Sequence, residues 1–297
     1  YQNTGRIDQA IELLEKTIQK EKLTNAQKGL LYNNLGSNYF LNTRATKMKS
    51  YAFENAEKAF FISVLLLERE PSQHEALTNS YRNLCKLNLE RKNKQMALHY
   101  FEKAKHTFEK IPNPNPRKKA QFYFDEANML FKQREITASS LAIERVFKTL
   151  IPAYSSAKTV LPNQSALYAE TILLDVLDLQ AELFLTQSQP KKALESYALA
   201  FHIEALFQSL LVYENSKIII QIRNRNRTER CIAIYQSLFQ KENKKNYLES
   251  AFLLAEKTKS IVLKANLNLK KFQSHEEKLL LEQLQNHNTI IVKEQQK

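Results

Sequence analysis

Small and aromatic residues recur at helical spacing along most of the chain and divide it into pairs of amphipathic helices. Between Ser72 and Pro112, Tyr81, Leu84 and Cys85 fall on one face of a first helix, and Ala97, Phe101 and Ala104 fall on one face of a second. Small residues let two antiparallel helices approach, while the aromatics fill the space on either side. The same spacing recurs before and after this pair. Tyr32, Leu35, Gly36 and Tyr39 are answered by Ala56, Ala59, Phe60 and Leu66. Later, Tyr123, Ala127 and Leu130 are answered by Ala142, Val146 and Thr149 across a slightly enlarged turn. From Tyr168 on, Leu177, Ala181 and Phe184 are answered by Ala193, Tyr197 and Ala200. Gly5, Ala10 and Leu14 carry second-helix spacing with no first helix before them.

Helix starts and stops divide the chain at consistent places. Thr24 with Gln27, and Ser72 with Glu75, read as capping boxes. The run PNPNP from Pro112 to Pro116 stops a helix, because each proline lacks an N–H and restricts the residue before it. Residues 152–165, bracketed by Pro152 and Pro162, read as a non-helical crossover. Pro190 opens a helix expected to run toward Leu211, and a long helix is expected from Glu214 to Gln240, followed by a partner containing Ala251 and Ala255.

The first-helix and second-helix spacings resemble the W-x2-L-G-x2-Y and A-x3-F positions of tetratricopeptide repeats. The resemblance implies an all-α superhelix of about five and a half helical hairpins over residues 1–271, with 272–297 a charged, partly apolar helical connector (Leu279, Leu280, Leu281, Leu284). Residues from Leu41 to Phe53 exceed a tetratricopeptide turn by about ten and are expected to form a projecting loop or helix extension. Glycine usage supports the class: the chain has three glycines, where average usage of about 7% would give roughly twenty, and none follows Gly36 to make hairpin turns or bulges.

From Tyr168 to Leu267 the text is more specific. YAETILLDVLDLQAELF, ALESYALAFHIEALFQSLLVYENSK and YLESAFLLAEKTKSIVLKANL resemble the repeat region that precedes the caspase-like CHAT domain of bacterial proteins. The resemblance implies an arm that senses a partner and regulates a C-terminal peptidase domain absent from this chain, with that domain itself, engaged in cis, as a candidate partner. A caspase-like site needs a histidine base and a cysteine thiolate, in that family a His-Gly pair and a Ser-Ala-Cys type segment. Cys85 in NLCKL and Cys231 in ERCIA sit in helical patterns with no glycine nearby, so no proteolysis, and no enzymatic activity, is expected of the chain itself.

The resemblance also implies a binding groove along the first helices. Its positions fall on Asn33, Asn34 and Ser37, on Asn79, Arg82, Asn83 and Lys86, on Phe124, Asp125 and Asn128, and on Asp175, Asp178 and Glu182. Asparagine can bond both N–H and C=O of an extended backbone, and Arg82 or Lys86 can take a carboxylate. The groove is thus expected to be graded, amide and basic early and acidic late. A protein or peptide partner is expected; a stand-alone adaptor is the alternative within the same class.

Charge raises a reading of another class. Forty-four Lys+Arg against 31 Asp+Glu give a net charge of +13, which can draw nucleic acid or simply solvate the surface. Arg223, Arg227 and Arg230 share a helix face and form a candidate anion-binding surface. No aromatic alternates with them to stack bases, so nucleic acid is the second reading rather than the first. His99 and His106 lie two helical turns apart, too far for one metal, and no metal or cofactor is expected. The chain opens on Tyr1 without Met or a signal pattern, which suggests a fragment of a longer protein. With no run of about eighteen apolar residues, a cytoplasmic protein without a membrane span is expected.

Overall fold

The computed structural model describes residues 6–20, 22–43, 49–157, 159–210, 214–258 and 283. Among the described residues there are eleven α-helices, one short 3-10 turn and no strand. In chain order the helices are α1 (Ile7–Ile18), α2 (Asn25–Asn42), α3 (Lys49–Leu67), α4 (His74–Glu90), α5 (Lys94–Phe108) and α6 (Pro116–Gln133). They continue as α7 (Ile136–Leu150), α8 (Thr171–Thr186), α9 (Pro190–Leu210), α10 (Glu214–Glu242) and α11 (Asn246–Thr258). The 3-10 turn, Gln164–Ala166, lies in the irregular stretch between α7 and α8. No described helix is long and apolar enough to cross a membrane. The chain divides into two units, one ending at Leu210 and one beginning at Leu211.

In the first unit, successive helices pack in pairs: α2 with α3, α4 with α5, α6 with α7 and α8 with α9, while α1 lies against α2. The first helix of each pair also touches the first helix of the next, α2 to α4, α4 to α6 and α6 to α8. Each second helix packs on the following first helix, as in α3 on α4, α5 on α6 and α7 on α8. This is the packing of an α-helical repeat, in which each unit buries its apolar face on its neighbours.

The spacing of small and aromatic residues accounts for the close pairs. An added Cβ at Gly36 would lie 2.6 Å from Cδ1 of Phe60, and one at Gly29 would lie 2.6 Å from Cγ of Leu67, so α2 and α3 meet nearly backbone to side chain. Ala97, Ala104, Ala127, Ala142 and Ala193 are wholly or almost wholly inaccessible, as the pattern requires. Between pairs, Phe122 of α6 stacks on Phe108 of α5 at 4.3 Å between ring centroids and lies 5.4 Å from Phe101. Buried hydroxyls add a polar stitch inside three pairs: Ser63 donates to the Gly29 carbonyl at 2.7 Å, Ser139 to that of Ala127 at 2.8 Å and Ser196 to that of Leu177 at 2.8 Å.

Most boundaries fall where the sequence puts them, and two do not. The Thr24–Gln27 capping box forms, with Thr24 Oγ1 accepting from the Gln27 N–H at 3.2 Å and Gln27 Oε1 accepting from the Thr24 N–H at 2.9 Å. The expected box at Ser72 does not: α4 starts at His74 behind Gln73 without a side-chain cap, and the Glu75 carboxylate is turned to Lys118 at 2.7 Å. The turn between α6 and α7 is short rather than enlarged, since Arg134 adopts a left-handed conformation (φ 73°) that closes α6 within two residues of α7. Helices α2 and α3 extend into the expected insertion as far as Asn42 and from Lys49, and residues 44–48 lie outside the described residues. Of the expected connector 272–297, only Gln283 is described.

Candidate interaction face

The first helices α2, α4 and α6 bring most of the sequence-predicted groove positions together, and they bond to one another. Asn83 of α4 donates through Nδ2 to Asn33 Oδ1 of α2 at 2.9 Å and lies 3.4 Å from Ser37 Oγ. Ser80 adds a longer bond to Asn33 Oδ1 at 3.3 Å and shares a hydrogen bond with Ser63 at 2.8 Å. Asn34 stands beside them, exposed to solvent. Two of the five asparagines expected to meet a ligand backbone, Asn33 and Asn83, are thus already spent in joining α2 to α4.

Asp125 is the electrostatic centre. It is buried on α6 and accepts from Arg82 and Lys86 of α4, with Lys86 Nζ 3.0 Å from Oδ1 and the Arg82 guanidinium in direct contact with Oδ2. Gln121 Nε2 approaches Oδ1 at 3.3 Å, and Arg82 Nη1 donates to Asn79 Oδ1 at 2.7 Å. Burial alone would raise the Asp125 carboxyl, but the charges of Arg82 and then Lys86, with their hydrogen bonds, outweigh it and hold the group below the usual carboxylate range. The expected gradient from basic to acidic is therefore compressed in this region: the acid of one repeat neutralises the bases of the one before.

The remaining groove positions are more dispersed. Phe124 is half-buried against the apolar cluster of α6 to α9, and Asn128 is half-buried on the same helix. Asp175, Asp178 and Glu182 are half-buried on α8, and the Glu182 carboxylate accepts from the Tyr197 hydroxyl of α9 at 2.8 Å. Glu182 thus joins the two helices of its own pair.

The candidate anion-binding face on α10 is not assembled as expected. Arg227 is 2% exposed, on a stripe with Cys231, Ile234 and Leu238, whereas Arg230 is exposed. The apolar residues recur at i+4, i+7 and i+11 from Arg227, so the shared face that suggested a phosphate track is the helix's buried side at that point. Arg225, on another face, is paired with Glu229 at 2.8 Å. The side chain of Arg223 lies outside the described residues. Both cysteines are buried and neither is in a disulfide, and burial, reinforced by the nearby Asp125 charge, pushes Cys85 up to about 12, which leaves it without nucleophilic thiolate near neutral pH.

Two features were missed from sequence. One is a charge ladder between α4 and α6: Glu75 pairs with Lys118 and, seven residues further along both helices, Arg82 pairs with Asp125, each pair separated by 43 residues. A search for opposite charges at that one repeat offset would have found it. The other is a cleft of about 390 Å³ at the edge of the stack where α4 and α6 begin and α5 ends. No family model and no curated protein matches the chain.

Proposed function

We propose that the chain is a protein–protein interaction arm of tetratricopeptide type, holding a partner or regulatory peptide along its first helices and controlling a CHAT-type peptidase domain outside this chain. The observation that carries the binding reading is the contiguous polar face of α2, α4 and α6, where Asn33, Ser37, Asn79, Arg82, Asn83 and Lys86 are fixed in place by mutual bonds and by Asp125. Fixed donors and acceptors lower the entropy lost on binding. Exposed Asn34 and half-buried Asn79 supply amide groups at the edge of that network.

Peptides selected from a random display library on the wild-type chain test this reading. Their affinity should fall on Asn34→Ala and Asn79→Ala and change little between low and moderate salt. Affinity that falls steeply with salt and ignores both substitutions would instead mark a polyanion binder. The regulatory half rests on the likeness of residues 168–267 to the repeats preceding CHAT domains; it requires a His-Gly pair and a Ser-Ala-Cys type segment in the gene downstream of Lys297, and a frame lacking them would leave an adaptor.

A further inference from the structure

The cleft at the start of α4 and α6 has a composition distinct from the polar face it adjoins. One wall is apolar, built from Phe108, Ile111, Pro112 and Pro114, where α5 ends and the proline run begins. The lining also carries Arg82, Arg117 and Lys118 against one acid, Glu75. Its volume, about 390 Å³, lies within the range of ligand clefts, roughly 300–1,000 Å³.

The cations differ in how firmly they are held. Arg117 is taken by Glu170 at 2.9 Å, the residue that also caps α8. Arg82 turns Nε and Nη2 to Asp125 and Nη1 to Asn79. A guanidinium has five N–H groups, so two of those on Arg82 have no protein partner among the described residues. Among the described residues Lys118 is held only by Glu75, and both are about half exposed, 54% and 49%. Such an exposed pair holds weakly, and it spans the cleft from α6 to α4.

The geometry points to a ligand of definite chemistry: an extended peptide bearing an internal aspartate or glutamate next to a bulky apolar residue. The carboxylate takes the two remaining N–H groups of Arg82 and draws Lys118 from Glu75. The apolar side chain lies on Phe108, Ile111 and the prolines, and the Asn79 Nδ2 and Gln121 Oε1 groups, whose amides are bonded only through their other ends among the described residues, meet its backbone together with Asn113. This rests on the peptide-binding reading above and places the selective contact at the edge of the stack rather than along the first-helix face.

Fluorescence anisotropy with the acetylated, amidated and fluorescein-labelled peptide Gly-Ser-Gly-Asp-Phe-Gly-Ser tests it, alongside matched Asn-Phe and Asp-Ala peptides. The Asp-Phe peptide should bind ~10-fold more tightly than either control, as loss of a charge-assisted contact or of an apolar anchor predicts. Glu75→Gln, which removes the competing carboxylate, should tighten binding about threefold, an effect that a merely structural role would not produce. Lys118→Glu and Ile111→Asp should weaken it ~10-fold with the circular dichroism of the chain unchanged. No binding to the wild-type chain, equal binding of the three peptides, or no gain from Glu75→Gln overturns the proposal. Full competition by free aspartate at peptide-like concentrations also overturns it, in favour of a small carboxylate ligand. Binding lost on Asn34→Ala but indifferent to Lys118→Glu and Ile111→Asp would sink the cleft while leaving the face reading intact.

Discussion

Replacing Asp125 by asparagine keeps the shape of the side chain and deletes the one anion that Arg82 and Lys86 share. The Arg82 side chain is 13% exposed and that of Lys86 35%. Lys86 can therefore turn toward water at small cost, while Arg82 is left with its charge largely buried and only neutral acceptors, Asn79 and the new amide oxygen, beside it. Removing one member of a buried pair costs about 3–5 kcal/mol, and because the amide oxygen still accepts one bond, the lower end, about 3 kcal/mol, applies. The effect has a sign in pH. The Asp125 carboxyl is held below its unfolded value, so its contribution is fully present above the unfolded pKa of about 3.9 and is lost as pH falls through the folded value. Urea unfolding followed by far-ultraviolet circular dichroism should show the Asp125→Asn deficit at pH 7 and a smaller deficit in the acid range below about pH 4. The double variant Arg82→Met with Asp125→Leu, which removes both charges, should recover most of the loss. A deficit under about 1 kcal/mol at pH 7, or one that persists undiminished in acid, would refute the assignment of Asp125 as the charge centre of this face.

Gly36→Ala should destabilise the chain by about 1–2 kcal/mol, because a Cβ placed 2.6 Å from Phe60 overpacks a wholly buried ring and outweighs the gain in helix propensity; Phe60→Leu in the same chain should restore part of the loss in a thermal melt. Phe122→Ala should cost about 3–5 kcal/mol in urea unfolding, since it removes the ring stacked between Phe108 and Phe101 that joins α6 to α5. Cys85 should remain unlabelled by a maleimide at pH 7.5 in the folded chain and react once the chain is unfolded in urea, given its burial and raised pKa. Glu75→Gln should change stability by less than about 0.5 kcal/mol, its partner Lys118 being exposed, which separates its effect on ligand binding from any effect on folding.

Helix pairing was readable from the sequence because it depends on local periodicity and on small residues at fixed intervals, as at Gly36, Ala97 and Ala142. The Thr24 capping box was readable for the same reason, since all its atoms lie within four consecutive residues. The Ser72 box fails because Glu75, which would have to turn back to the Ser72 N–H at the helix start, meets Lys118 from the next repeat instead. The groove positions from Asn33 to Lys86 and Asp125 come together on α2, α4 and α6, but charge patterns within single helices do not show how they pair. Arg82 and Asp125 look like the opposite ends of a gradient until the offset of 43 residues places them in contact. Charge spacing alone puts Arg227 on a shared arginine face, and the competing apolar stripe through Cys231, Ile234 and Leu238 decides its burial. The cleft had no sequence signature, because its walls come from a helix end, a proline run and the starts of two helices that only packing brings to one place.

Site-specific photo-crosslinking tests the central claim, that partners are held on the first-helix side, most directly. A photoreactive phenylalanine analogue would replace Asn34 on α2 or Gln121 on α6, with Phe61 on α3 and Leu141 on α7, exposed on the second helices, as comparison sites. With a display-selected peptide, crosslinks should form from positions 34 and 121, map to one contiguous segment of the peptide, and be absent from 61 and 141. Equal or stronger crosslinking from positions 61 and 141 would contradict the account and move the binding surface to the second helices.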